Sequence, residues 1–344
     1  MADHPIVQQL TRYYRTHQPD LVDPRIKLEW VNISGWESEI YAYTLTAGEP
    51  NQRQAENRVL RLLTGGQMAD AKREYHFLTL VNKAGYPVPQ VYALGYETDG
   101  LGYPFIIMEC IQGGGFADRF IPSLTGDPGP LKQFVTLFRR LHTLDWRPYV
   151  DNPSDFEQAG NPFNYFDRIL TEYEGHLTQA GLVDFEPVMA WLKAQRERVP
   201  CLLGSIVHLD FHHNNILEDA DGRLVVIDWT SAQISDFRYD LAWTLTLALA
   251  YRGPEGHAAI LESYQQVYGQ PVPSLDVFEV AAILRRIGTV MISLRAGAEA
   301  LGMRPEAIQS MRRDAEPLTR IYERLCYLTM LDLPGIKAFI AELG

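Results

Sequence analysis

The chain has 344 residues, 46% hydrophobic and 22% charged, with a formal net charge of −12; that length accommodates two lobes, each with its own core. No apolar run approaches the roughly 20 residues of a membrane span, and no run of Lys and Arg supplies a basic patch, so neither a membrane nor nucleic acid is expected as a partner. Met-Ala-Asp-His-Pro-Ile at the start does not read as a signal peptide, and Cys110, Cys201 and Cys326 are too dispersed for a disulfide framework, which suits a reducing cytoplasm.

In chain order, residues 26–33 alternate as a half-buried strand does, and Ser34-Gly35 then turns the chain into a second strand-like run, Ile40–Leu45. A third strand is expected over Arg58–Leu62. From Met68 to Lys83 the pattern becomes helical, with Ala71, Tyr75, Leu78 and Val81 at three- and four-residue spacing, and Gly85-Tyr86-Pro87 stops it. Further strands are predicted over 90–95 and 104–110. Gly113-Gly114-Gly115 reads as a flexible joint. Beyond it helices are predicted over 130–145, 163–180, 184–199, 238–251, 255–268, 276–301 and 304–328. The exception is 205–230, where Ser205–Leu209 and Leu224–Ile227 read as short strands flanking a loop, with Asp221-Gly222 as a hairpin turn. The result is an α+β chain: a sheet-rich N-terminal lobe (1–112) and a mainly helical C-terminal lobe (113–344).

Chemistry concentrates in that exception. His208, Asp210, His212, His213, Asn214, Asn215 and Asp228 stand between apolar runs, and buried polar groups are costly without a purpose. Carboxylates near the two strand ends and a carboxamide between them form a hard-oxygen cluster suited to Mg²⁺. Phosphoryl transfer needs such a cluster, together with a carboxylate that orients the attacking hydroxyl and takes its proton. A rival reading is a metal-dependent hydrolase centred on His208, Asp210 and His212, since imidazole suits Zn²⁺. It leaves Asn215 and Asp228 without a role.

The spacing His208-Leu209-Asp210-Phe211-His212-His213-Asn214-Asn215, followed by Ile227-Asp228-Trp229, resembles that of the aminoglycoside phosphotransferase and choline kinase-like family, relatives of protein kinases. In that family the motif usually reads His-Gly-Asp-Leu-His-x-x-Asn and then Ile-Asp-Phe or Ile-Asp-Trp. The resemblance implies a bilobal protein-kinase-like fold, ATP or GTP as co-substrate, Asp210 as catalytic base and His208 as a brace for its loop. It also implies Mg²⁺ held by Asn215 and Asp228, and Asp240 as a buried structural acid. Leu209 departs from the usual glycine.

A phosphotransferase needs a nucleotide clamp. Ser34–Glu39 lies between two strands where a loop would cover the phosphates, with Ser38 as a donor. Kinase-like enzymes also place a third-strand cation against a helical Glu. No lysine lies on that strand, so Arg61 with Glu74 takes the role. Pro104–Gly113 resembles the family's strand-to-hinge segment, which implies adenine between the Glu109 carbonyl and the Ile111 amide, backed by Met108.

The acceptor is harder to read; it is expected on helical-lobe segments facing Asp210, Asn161–Asp167 through Tyr173-Glu174 and parts of 238–300. Between Glu109 and Glu186 there are 12 acidic and 6 basic residues. Trp146, Tyr165, Phe166 and Tyr173 lie in the same stretch, a composition that would receive a cationic alcohol or aminoglycoside-like compound. A non-catalytic nucleotide-binding relative is the remaining alternative, opposed by the presence of Asp210, Asn215 and Asp228 together.

Overall fold

Alternation decides how the N-terminal sheet is built. Strands β1 (Arg25–Asn32), β2 (Glu39–Ala47), β3 (Gln54–Leu62), β4 (Val91–Gly95) and β5 (Phe105–Glu109) form one antiparallel sheet in the order β1-β2-β3-β5-β4. Because successive side chains point to opposite faces, Leu60 and Leu62 join Phe105 and Ile107 under helix α1 (Pro5–His17), while Ile106 and Met108 join the larger core. Arg61, opposite in parity to Leu60 and Leu62, faces helix α2 (Met68–Lys83), which buries Ala71, Glu74, Phe77 and Leu78. The computed structural model describes residues 4–32, 38–49, 51–65, 67–155, 160–297, 308, 311–312 and 315–343.

After β5 the chain forms β6 (Gly113–Gly115), α3 (Ala117–Ser123), α4 (Gly129–His142), α5 (Asn164–Gln179) and α6 (Glu186–Ala194). Then come β7 (Ser205–Val207), β8 (Ile216–Asp219), β9 (Leu224–Val226) and β10 (Gln233–Ser235). Helices α7 (Phe237–Tyr268), α8 (Leu275–Ala296), α9 (Ala315–Thr329) and α10 (Pro334–Ala341) follow. Helix α7 packs against α4, α8 and α9, and the apolar faces of these helices form most of the main core. The two helices predicted over 238–251 and 255–268 are both present, run together as α7 across a kink at Gly253, whose φ of 73° is left-handed. No helix among the described residues is long and apolar enough to cross a membrane.

Two expectations need correction and a third lies largely outside the described residues. The glycine triplet is a paired strand: β6 lies against β8, Phe116 donates to the Ile216 carbonyl, and a Cβ on Gly113 would fall 1.9 Å from the Glu218 carbonyl oxygen. Glycine is there for close approach of two backbones rather than for slack. The hairpin through Asp221-Gly222 joins β8 to β9, whereas β7 pairs with β10. The expected covering loop is known only at its end, because Ile33–Glu37 lie outside the described residues.

Candidate active site

Strand β7 delivers the chain to His208, where the backbone is caught from below. The amides of His208 and Leu209 donate to the two oxygens of Asp240 at 2.7 and 2.8 Å, and His142 Nε2 lies 3.2 Å from the same carboxylate. Asp240 and His142 have no exposed side-chain surface. Burial lowers the proton affinity of His142 and outweighs Asp240. Its imidazole is therefore neutral, with Nε2–H donating to Asp240 and Nδ1 accepting from the Tyr264 hydroxyl at 2.8 Å. This bracket explains how Leu209 tolerates a φ of 57°, in the left-handed region that glycine favours. The Leu209 side chain is itself 4% exposed, part of the main core.

The bracket presents Asp210 to the cleft, 36% exposed. Asn215 Nδ2 donates to its Oδ2 at 2.9 Å and its carbonyl at 3.0 Å, and Trp243 Nε1 reaches Oδ1 at 3.3 Å. His212 Nε2 is 3.4 Å from Oδ2. Burial alone would raise the Asp210 carboxyl, but His212, His208 and Trp243 outweigh it and hold the group below the usual carboxylate range. Conversely, burial would lower His212, and Asp210 lifts it above the ordinary imidazole value.

The second carboxylate is tied to the first. Ile227 donates its amide to the Asn215 carbonyl at 3.0 Å, and His208 Nε2 donates to the Ile227 carbonyl at 3.0 Å. His208 is fully buried, edge-on to Trp229 with ring centroids 4.8 Å apart. Asp228 follows with a φ of 65°. Its Oδ1 accepts from Arg61 Nη2 at 2.9 Å and from Thr230 Oγ1 at 3.1 Å. Arg61 Nε lies 3.3 Å from Glu74 Oε2, with Glu74 1% exposed. One arginine of the sheet thus bridges α2 and the far side of the cleft.

The other residues expected at the nucleotide surround this bridge less completely. Ser38 is buried where β2 begins, and Met108 is 8% exposed in β5. The amide of Glu109 donates to the Gln90 carbonyl at 2.8 Å and that of Cys110 to the Asn57 carbonyl at 3.2 Å. Among the described residues the Ile111 amide makes no hydrogen bond, so it stands open next to the strand end.

A family model described as the phosphotransferase enzyme family matches residues 32–279. The chain belongs to that family. As a phosphotransferase it shares the bilobal kinase-like fold with solved structures of low identity. One is an ethanolamine kinase of Plasmodium vivax: 14% identical, TM-score 0.59, covering 98% of this chain and 91% of that one. Another is an aminoglycoside phosphotransferase in ternary complex with AMP-PNP and hygromycin B: 16% identical, TM-score 0.55, covering 89% and 98%. Mouse acyl-CoA dehydrogenase family member 10 is 24% identical over 252 residues, 63% of this chain, and the chain spans 22% of that relative's length.

The phosphotransferase's donor set fits a hard cation. Asn215 engages its NH₂ with Asp210, which leaves its amide oxygen for a metal, and Asp228 Oδ1 alone takes the Arg61 and Thr230 bonds. Carboxylate and carboxamide oxygens are the ligands Mg²⁺ takes, with phosphate and water completing its shell. Among the described residues no group of three or more His, Cys, Asp or Glu side chains is placed to hold a metal, as a His/Asp-centred hydrolase would require.

The acceptor stretch behaves differently. Asn161, Asn164, Asp167, Arg168, Glu172 and Gln233 help line a polar cavity of about 500 Å³. Of its two acids, Asp167 is gripped by Arg196 at 2.6 and 2.7 Å; nearby on α5, outside the cavity, Glu174 is held by Lys193 at 2.7 Å. Trp146, Tyr165 and Phe166 are buried in the core, and the Tyr173 hydroxyl meets that of Tyr239. The side chains of α7 and α8 that do reach the Asp210 loop include Trp243, Thr244 and Arg285, none of them singled out individually in the sequence. Trp243 had a legible signal, standing one helical turn beyond Asp240 and so on its face of α7.

Proposed function

We propose that this phosphotransferase moves the γ-phosphate of ATP or GTP to a hydroxyl of a small molecule. Residues 1–112 bind the nucleotide, and residues 113–344 supply the catalytic loop and the acceptor site. Asp210 receives the hydroxyl: its oxygens are oriented by Asn215 and Trp243, and its depressed proton affinity keeps it ionised to accept a hydrogen bond and then a proton. Asn215 and Asp228 would hold Mg²⁺, which when bound neutralises phosphate charge. His208 acts through the backbone, fixing Ile227 and with it Asp228. Adenine fits against the Glu109 carbonyl and the open Ile111 amide, with Met108 behind it, and Ser38 is placed to donate to a phosphate.

The observation that carries this reading is the Arg61 bridge. A buried guanidinium held between Glu74 and Asp228 is the cation–glutamate pair a kinase-like site uses on phosphates, next to a metal-binding carboxylate. Two measurements test it. Mg-ATP or Mg-GTP should raise the melting temperature, and Arg61→Ala should raise the nucleotide KM about 10- to 100-fold, the loss of one or two charge-assisted hydrogen bonds. Label from γ-labelled ATP should pass to a hydroxyl compound, and Asp210→Asn should slow that transfer by about 10²- to 10⁴-fold with the melting temperature nearly unchanged. No nucleotide-dependent shift with the wild type would sink the proposal. The cationic acceptor expected from composition loses two of its twelve acids, because Asp167 and Glu174 are engaged by Arg196 and Lys193.

A further inference from the structure

Beside the Asp210 loop stands a cation that the phosphotransfer reading leaves without a task. Arg285, on α8, stacks its guanidinium on the Trp243 indole with Cζ 4.1 Å from the ring centroid. The same indole donates from its edge to Asp210 Oδ1, so one ring joins the guanidinium on its face to the group that would meet the acceptor hydroxyl. Arg285 Nη1 also reaches the Leu209 carbonyl at 3.3 Å, one residue before Asp210. Among the described residues it makes no ion pair, whereas Arg196, Arg198, Arg238 and Arg324 of the same lobe each grip a carboxylate. It lies close enough to Tyr239 to lower the proton affinity of a hydroxyl that burial raises.

An arginine has five N–H donors in a planar fork. Stacking on an indole uses the face of that fork, and the Leu209 carbonyl and the Tyr239 hydroxyl take only part of its edge. A half-buried guanidinium without a carboxylate, set beside the Asp210 loop, is a counter-charge for a ligand. One positive charge matches one carboxylate. A phosphate dianion would bring an extra negative charge toward Asp210, Asp228 and the triphosphate.

We propose that Arg285, seated on Trp243, selects acceptors that carry a carboxylate in addition to the hydroxyl that is phosphorylated. This deepens the phosphotransfer reading and rests on it for the hydroxyl's fate, though not for the binding preference. It replaces the cationic alcohol suggested by composition with a hydroxy acid.

The test is equilibrium binding to the full chain in the presence of Mg and AMP-PNP. The probes are short hydroxy acids, with diols and amino alcohols of matched length. Hydroxy acids should bind most tightly. Arg285→Gln should weaken them on the order of 10- to 100-fold, as loss of a charge-assisted pair does, while diol binding changes little. Arg285→Lys should restore part of the preference because the charge is kept. Amino alcohols or diols binding as well as the acids would overturn the proposal. So would an Arg285→Gln variant that weakens every probe alike with a lowered melting temperature, since Arg285 would then only support the Leu209 turn. Failure of AMP-PNP to bind at all strikes the phosphotransfer reading instead, and the same probes without nucleotide still report the acid preference.

Discussion

Two walls of the cleft are built on opposite plans. In the wall made by the 208–215 loop and the 227–230 segment, side chains hold backbone: Asp240 takes two amides, His208 takes a carbonyl, and Asn215 and Ile227 lace the strands together. In the wall made by α5 and its neighbours, side chains hold one another, as Asp167 holds Arg196 and Glu174 holds Lys193. A backbone fixed by buried partners keeps its reactive groups in place whatever the ligand. A surface of exposed ion pairs can exchange partners at little cost. The first wall holds the groups proposed for chemistry, with Trp243 and Arg285 packed against them, and the second presents a surface that can rearrange.

The largest effect should come from Asp240→Ala. It leaves two buried amides and the His142 Nε2–H without an acceptor, which by 1–3 kcal/mol per orphaned donor costs at least about 3 kcal/mol. The midpoint of urea unfolding measures it, and a loss under about 1 kcal/mol would break the contrast between the walls. Leu209→Gly comes next, with two opposed terms. Relief of the left-handed backbone is worth about 1–2 kcal/mol, while removing a buried leucine side chain costs about 2–5 kcal/mol. The packing term wins, so a net loss of about 1–3 kcal/mol is expected; a gain would mean that backbone strain governs the turn. The smallest effect belongs to the other wall. Arg196 holds the Asp167 carboxyl below its ordinary range against a modest burial penalty. A carboxyl lowered in this way contributes stability above its unfolded value and loses it as pH falls through the folded one. Asp167→Asn should therefore cost less than about 1 kcal/mol at neutral pH, and nothing at a pH where both states are protonated. Equal unfolding midpoints of variant and wild type at acid pH check the sign.

The same division explains what the sequence made legible. Helix α2 was readable because Ala71, Leu78 and Val81 keep one face buried with Tyr75 packed beside them, and Gly85-Tyr86-Pro87 ends it. The Asp210–Asn215–Asp228 arrangement was readable because its members lie close in the chain. The strand pairing there was not. Strands β7, β9 and β10 have three residues each, too few for a period to show, and β8 adds only Ile216–Asp219. The Asp221-Gly222 turn was recognised but its first strand was misplaced. On the acceptor side, composition counted acids without knowing that Arg196 and Lys193 return to meet them. Arg285 lies 75 residues from Asp210 and is brought to it only by the packing of α8 on α7. No local pattern announces such a meeting.

The strand Gly113–Gly115 has a mechanical consequence. It follows the segment proposed to receive adenine, and it is laced to β8, whose first residue, Ile216, comes directly after Asn215. The hinge side of the cleft and a proposed metal ligand are therefore two ends of one short ladder. With no room for a side chain at Gly113, the rungs cannot be respaced by substitution there. Any tilt of the sheet lobe would be passed to the Asp210–Asn215 loop through this ladder, as through a lever with a fixed fulcrum rather than a tether.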